Sequence, residues 1–136
     1  MPFMTWNDKL SVGVDKIDYD HKRMVCLINE LFDGILAGHS EEMLANILNE
    51  LVAYTQYHFA REEGYFAQTL YVDAATHKLE HHDMVLWISD IQTRYREGTL
   101  AAPSLEVINY LKDWLFDHII QKDQQLGRHL NELGIH

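Results

Sequence analysis

Only one cysteine, Cys26, occurs in the 136 residues, so the chain cannot build an internal disulfide framework or a thiolate zinc site. A reducing compartment suits it. Prolines are equally scarce, Pro2 and Pro103 alone, which leaves long stretches free to form helices. No apolar run approaches the roughly 18 residues of a membrane span, so no membrane insertion is expected. Basic residues are few, 11 Lys+Arg against 21 Asp+Glu for a net charge of −10, which argues against a nucleic-acid partner. The opening MPFMTWND lacks the charged and apolar regions of a secretory signal, and a cytoplasmic location is expected. Gly-rich phosphate loops, a Gly-x-Ser-x-Gly elbow, a His-Glu-x-x-His zinc helix and the Glu-x-x-His of carboxylate-rich di-iron bundles are all missing.

Histidine is what the chain has in excess: nine residues, several-fold more than packing needs. The length fits one domain, 1–136, and its apolar periodicity is helical. From about Tyr19, the positions His21, Val25, Ile28, Leu31/Phe32 and Ile35 make one stripe that stops near Gly38. After Ser40, a candidate N-cap, a second stripe runs through Leu44, Leu48, Leu51 and Thr55 to His58, Glu62 and Phe66. A third opens near Asp73 with His77, His81, Met84, Ile88 and Ile91 and ends at Gly98. Pro103 suits the first turn of a fourth, which carries Ile108, Leu111, Leu115 and His118. Short connections between four amphipathic helices predict an all-α, up-down-up-down four-helix bundle over 19–133. Residues 1–18 have no helical stripe; Trp6, Leu10, Val12 and Val14 read as an arm along the bundle.

The fourth stripe slips. Regular spacing from Leu111, Leu115 and His118 predicts Lys122 and Gln125, but the apolar series resumes at Leu126, Leu130 and Leu133, one residue late. Five residues of a regular helix turn through about 140°, so His118 and Asp123 share the inward face only across a π-bulge or a helix break. A short C-terminal helix then follows.

Each helix thus sends polar groups inward: His21; His58 and Glu62; His77 and His81; His118 and Asp123. Buried bare, five imidazoles and two carboxylates cost several kcal/mol, a cost that a divalent or trivalent metal removes. Two octahedral ions need twelve donor positions; five imidazoles, two bridging carboxylates and one bridging oxo or hydroxo group fill eleven. A bridged N/O pair with one open position points to iron and a small diatomic ligand.

The ordered set His21, His58-x3-Glu62, His77-x3-His81 and His118-x4-Asp123 resembles the hemerythrins. The Trp6–Asp18 arm, Ile-Asp-x-x-His at 17–21, His-Phe at 58–59, Glu-Glu at 62–63 and Trp-Leu at 114–115 extend the likeness over nearly the whole chain. The resemblance implies two iron ions with an oxo or hydroxo bridge and reversible O2 binding. By position, His77, His81 and His118 would hold one iron, His21 and His58 the other, and Glu62 and Asp123 would bridge. The expected partners are O2 and an oxygen-consuming enzyme that receives it. A di-iron oxidase, peroxidase or nitric oxide reductase, a sensor working through a separate partner, and an iron store are the rival readings. Two departures, Asp20 where the family often has Gln and Phe66 where it often has Met, are expected to leave the ligands untouched and act on their surroundings.

Apolar residues one turn from the ligands are expected to keep the O2 pocket dry: Met24 and Val25, Phe59, and Trp114, Leu115 and Ile119, with Leu115 nearest the open position. His39, His82, His129 and His136 read as solvated bystanders, Cys26 as a packing thiol, and Phe32, Trp87 and Tyr110 as core. Tyr54 and Tyr57 fit either a hydrogen bond near the centre or ordinary core packing. Asp20 fits either a carboxylate that orients a ligand imidazole or a solvated helix-start charge.

Overall fold

The computed structural model describes residues 2–98 and 103–136. A short 3-10 turn, Asp8–Leu10, precedes α1 (Asp15–Leu36), α2 (Glu41–Thr69), α3 (Ala74–Arg96) and α4 (Leu105–His118). Five residues of π-helix, Ile119–Asp123, then lead into α5 (Gln124–Glu132). α1 packs on α2 and α4, and α2 on α3, the short turns setting α1 and α2, and α2 and α3, side by side and antiparallel. Among the described residues there is no helix long and apolar enough to cross a membrane.

Local chemistry sets the helix ends. Ser40 and Ser104 cap α2 and α4, their hydroxyls accepting from the backbone N–H of Met43 and Val107 at 3.2 Å. Gly38 takes the left-handed φ of +69° that the tight α1–α2 turn requires. Two boundaries differ from the sequence reading. α1 begins at Asp15 rather than near Tyr19, because Ile17 already lies on its buried face. Pro103 stands before the Ser104 cap, buried but outside the first turn, because the serine takes the capping position.

The arm is strapped rather than loosely laid. Asn29 on α1 exchanges two hydrogen bonds with the Met4 backbone, donating to its carbonyl at 2.9 Å and accepting from its N–H at 2.7 Å. Gln124 and Asn131 on α5 donate to the Lys9 and Gly13 carbonyls at 2.7 and 2.9 Å. Between those two ties the Val12 carbonyl passes so close to Gly127 that a Cβ there would sit 1.9 Å from the oxygen. Glycine makes the crossing possible. Met4, Leu10, Val12 and Val14 are buried beneath the strap, and Trp6 is half-buried.

Several side chains lie elsewhere than the sequence reading put them. Cys26 is exposed rather than packed, since the inner face of α1 is filled by its neighbours Val25 and Leu27. Tyr110 is half exposed at the surface, its ring tilted against the half-buried Trp87. His129 is no solvated bystander: it is half-buried, with Nε2 3.1 Å from Thr69 Oγ1 and its ring against Tyr71.

Candidate metal centre

Four helices and the π-turn bring seven side chains to one point in the bundle. His21 comes from α1, His58 and Glu62 from α2, His77 and His81 from α3, His118 from the end of α4 and Asp123 from the π-turn. None is more than 3% exposed. They form two overlapping groups whose donor atoms lie within 4.8 Å of one another: Glu62, His77, His81, His118 and Asp123; and His21, His58, Glu62 and Asp123. The two carboxylates belong to both.

The π-turn makes this closure possible. Gln124 N–H bonds to the Ile119 carbonyl, five residues back, so the wider turn absorbs the extra residue that a regular helix would rotate out of line. His118 Nε2 and Asp123 Oδ1 consequently meet at 3.1 Å, and the same oxygen lies 2.9 Å from His77 Nε2. Asp123 Oδ2 is 2.9 Å from His21 Nε2. Glu62 Oε1 is 3.0 Å from His81 Nε2 and 3.4 Å from His77 Nε2, while Oε2 is 3.3 Å from His58 Nε2. Each carboxylate therefore directs one oxygen to each group.

The donor set fits two metal ions. Both oxygens of Glu62 and of Asp123, with Nε2 of His21, His58 and His81, are buried and make no hydrogen bond, and His77 and His118 point their Nε2 atoms at each other 3.0 Å apart. So many convergent lone pairs without donors are costly unless a cation sits among them. In the bare chain protons play that part. Burial pushes the His58 imidazole down, but Glu62 and the Asp20 hydrogen bond overcome it and carry it up to about 10. His77 is pushed up to about 9, burial opposed by the adjacent carboxylates of Asp123 and Glu62. Glu62 is raised by burial and by Asp123 but lowered more by His58 and His77 together; Asp123 is raised by burial but lowered more by His118, His21 and His77 together. Both carboxyls lie below their usual range.

Carboxylates also stand behind the imidazoles. His58 Nδ1–H donates to Asp20 Oδ2 at 3.0 Å, and His81 Nδ1–H to Glu63 Oε2 at 3.2 Å; Glu80 lies 3.8 Å from His118 Nδ1. Asp20 is fully buried, and Tyr54 Oη and Arg61 Nε also donate to it, at 2.9 and 2.7 Å. Burial raises its carboxyl, but the bonds from His58, Tyr54 and Arg61 outweigh that and hold it low. Of the two readings of Asp20, the structure favours the carboxylate that orients a ligand imidazole, though that imidazole is His58 and not the adjacent His21; Phe66 lies against a candidate ligand too, its ring 4.8 Å from that of His77. Tyr57 is mostly exposed, accepting from Arg61 Nη2 at 2.9 Å. Periodicity assigns neither Glu63 nor Glu80 this place behind an imidazole, because their partners sit on other helices.

One turn from this layer lies a small apolar cavity of about 10 Å³. Met24, Thr55, Met84 and Leu115 line it, and each stands three residues from a candidate ligand: after His21, before His58, after His81 and before His118. The alternating offset is what antiparallel neighbours require for a level wall. Ile28, Leu51, Ile88 and Leu111 continue it one turn farther, and Trp114 completes it. Of the expected pocket residues, Met24, Trp114 and Leu115 line this cavity, whereas Val25, Phe59 and Ile119 do not. Phe59 instead stacks on His81 at 3.9 Å, and Ile119 is buried in the π-turn. Trp114 also stacks on His118, at 4.5 Å.

The Hemerythrin HHE cation binding domain family model matches residues 12–130. A bacteriohemerythrin of Stenotrophomonas maltophilia is 32% identical over 98% of this chain and 88% of its own length. One from Methylococcus capsulatus is 30% identical over 93% and 96%. The solved structure of wild-type hemerythrin superposes with a TM-score of 0.89 at 29% identity, covering 94% of this chain and 98% of that one.

Proposed function

Since the chain belongs to the hemerythrin family, we propose that it binds O2 reversibly at a di-iron centre, to store or carry O2 or deliver it to an oxygen-consuming enzyme. The observation that carries this reading is the pair of donor groups joined through Glu62 and Asp123. In it His77, His81 and His118 would hold one ion and His21 and His58 the other, with the two carboxylates shared between them. Iron held by these residues would supply the electrons that reversible O2 binding requires.

The chain's own part is to orient and to exclude. Asp20 and Glu63 fix the tautomers of His58 and His81, so that each Nε2 offers its lone pair to the centre. Together with one bridging oxo or hydroxo group, the five imidazoles and two carboxylates would fill eleven of the twelve positions of an octahedral pair and leave one for O2, on the ion with fewer histidines. Met24, Leu115 and Trp114, with the leucines and isoleucines above them, keep bulk water from that position, so a proton cannot easily displace the ligand. Thr55 and the Trp114 indole are the polar side chains in the lining, and neither is an acid–base group for turnover. That supports a binder over an oxidase.

The test is optical. The iron-loaded protein, reduced without air and given O2, should develop a visible charge-transfer band that vanishes under argon through repeated cycles. Steady O2 consumption, or a single irreversible change, would refute reversible binding.

A further inference from the structure

On the di-iron reading above, we propose that Asp20 is a positioning residue for the ion held by His21 and His58, and that Arg61 and Tyr54 set how strongly its charge reaches that ion. Three candidate ligands have a carboxylate behind them, but the three carboxylates are not equivalent. The side chains of Glu63 and Glu80 are 36% and 35% exposed, so water and salt screen them. Asp20 is fully buried, where a charge acts at lower dielectric. Its anion stands directly behind His58, on the side of the site with fewer histidines. The effect is to make the His58 imidazole a stronger electron donor and to favour the more oxidised metal.

The same carboxylate is opposed from outside. Arg61 Nε lies 2.7 Å from Oδ2, the oxygen that also accepts from His58, while Tyr54 holds Oδ1. Both line an open surface cleft with Tyr19, Arg23, Glu50 and Tyr57. Helix geometry explains the assembly: Tyr54, His58 and Arg61 fall four and three residues apart on one stripe of α2, and Asp20 is turned toward that stripe by about 100° from His21. Charge therefore reaches His58 from two sides with opposite sign. A network that merely tied α1 to α2 would have no such polarity.

That contrast decides the test. Asp20→Asn keeps an oxygen to accept from His58 Nδ1–H but removes the charge; Arg61→Gln removes the opposing cation; Tyr54→Phe removes one donor to the anion. Co2+ titration of each metal-free protein reads ion binding, and spectroelectrochemistry of the iron-loaded protein reads its reduction potential. Asp20→Asn should weaken one of the two ions by 10- to 100-fold and move the potential positive. Arg61→Gln should keep both ions and move it negative, and Tyr54→Phe should move it negative by less. An unmoved potential in Arg61→Gln, or a shift of the same sign in Asp20→Asn and Arg61→Gln, overturns the proposal. Should Asp20→Asn not fold, the sign in Arg61→Gln still decides. Wild type that takes up fewer than two Co2+ per chain would instead overturn the di-iron reading itself.

Discussion

Replacing Leu115 by Ala should cost both stability and the dryness of the cavity. The side chain is 2% exposed, and the change removes three carbons from the wall opposite Met24 and Thr55. At about 0.8 kcal/mol per buried methylene the transfer loss is about 2.4 kcal/mol. The void adds to it, since neighbours on four separate helices cannot collapse together, and a total of about 3 to 4 kcal/mol follows. The present cavity is at the threshold for a single water. Enlarged by a leucine's volume it admits more, and the Thr55 hydroxyl gives an entering water one of the partners it needs. Autoxidation of the O2-loaded protein should therefore accelerate, followed as the decay of its visible band, while urea titration reports the stability loss. Adding Thr55→Val should slow the decay again without restoring stability. A stability loss under about 1 kcal/mol together with an unchanged decay rate would show that Leu115 does not wall the site.

Two further outcomes can be checked on the same protein. Gly127→Ala would gain about 1 kcal/mol of helix propensity. It would also set a Cβ 1.9 Å from the Val12 carbonyl oxygen, so the arm must lift and the melting temperature should fall; a raised one would refute the strap. The metal-free protein should lose stability as pH rises from about 6.5, the unfolded histidine value, toward 9 and 10, where His77 and His58 give up their protons. It should also lose stability below about pH 4, as Asp20, Glu62 and Asp123 are protonated. Iron loading releases those histidine protons and should abolish the alkaline loss but not the acid one, which denaturant titrations at pH 6 and 9 would register. Equal stability of the metal-free form at both values would contradict the histidine assignments.

Periodicity within one helix carried most of what was legible in the sequence. The inward positions of His21, His58, Glu62, His77 and His81 are spacings of three and four along apolar stripes, and the one-residue slip after His118 is a count that only a wider turn reconciles. What periodicity does not encode is contact between helices. Asp20 is adjacent to His21 in sequence, yet it serves His58, because neighbours on a helix diverge by about 100°. Phe59 follows His58 but covers His81 for the same reason. Cys26 is off the stripe, and an off-stripe position is equally a lateral packing site or a solvent-facing one until the neighbouring helix is placed.

The strap also fixes the order in which the molecule can be assembled. Met4 can already bond to Asn29 on α1, but Lys9 and Gly13 find their partners at Gln124 and Asn131, more than a hundred residues later, so the second half of the arm is tied down only once the last helix exists. Asp123 belongs to that same late segment and is the only candidate ligand beyond α4. Three helices alone can gather five of the seven donors, but neither donor group is complete without Asp123. Closing the strap and completing the metal site therefore depend on one and the same C-terminal segment, so a change that loosens that segment weakens both together.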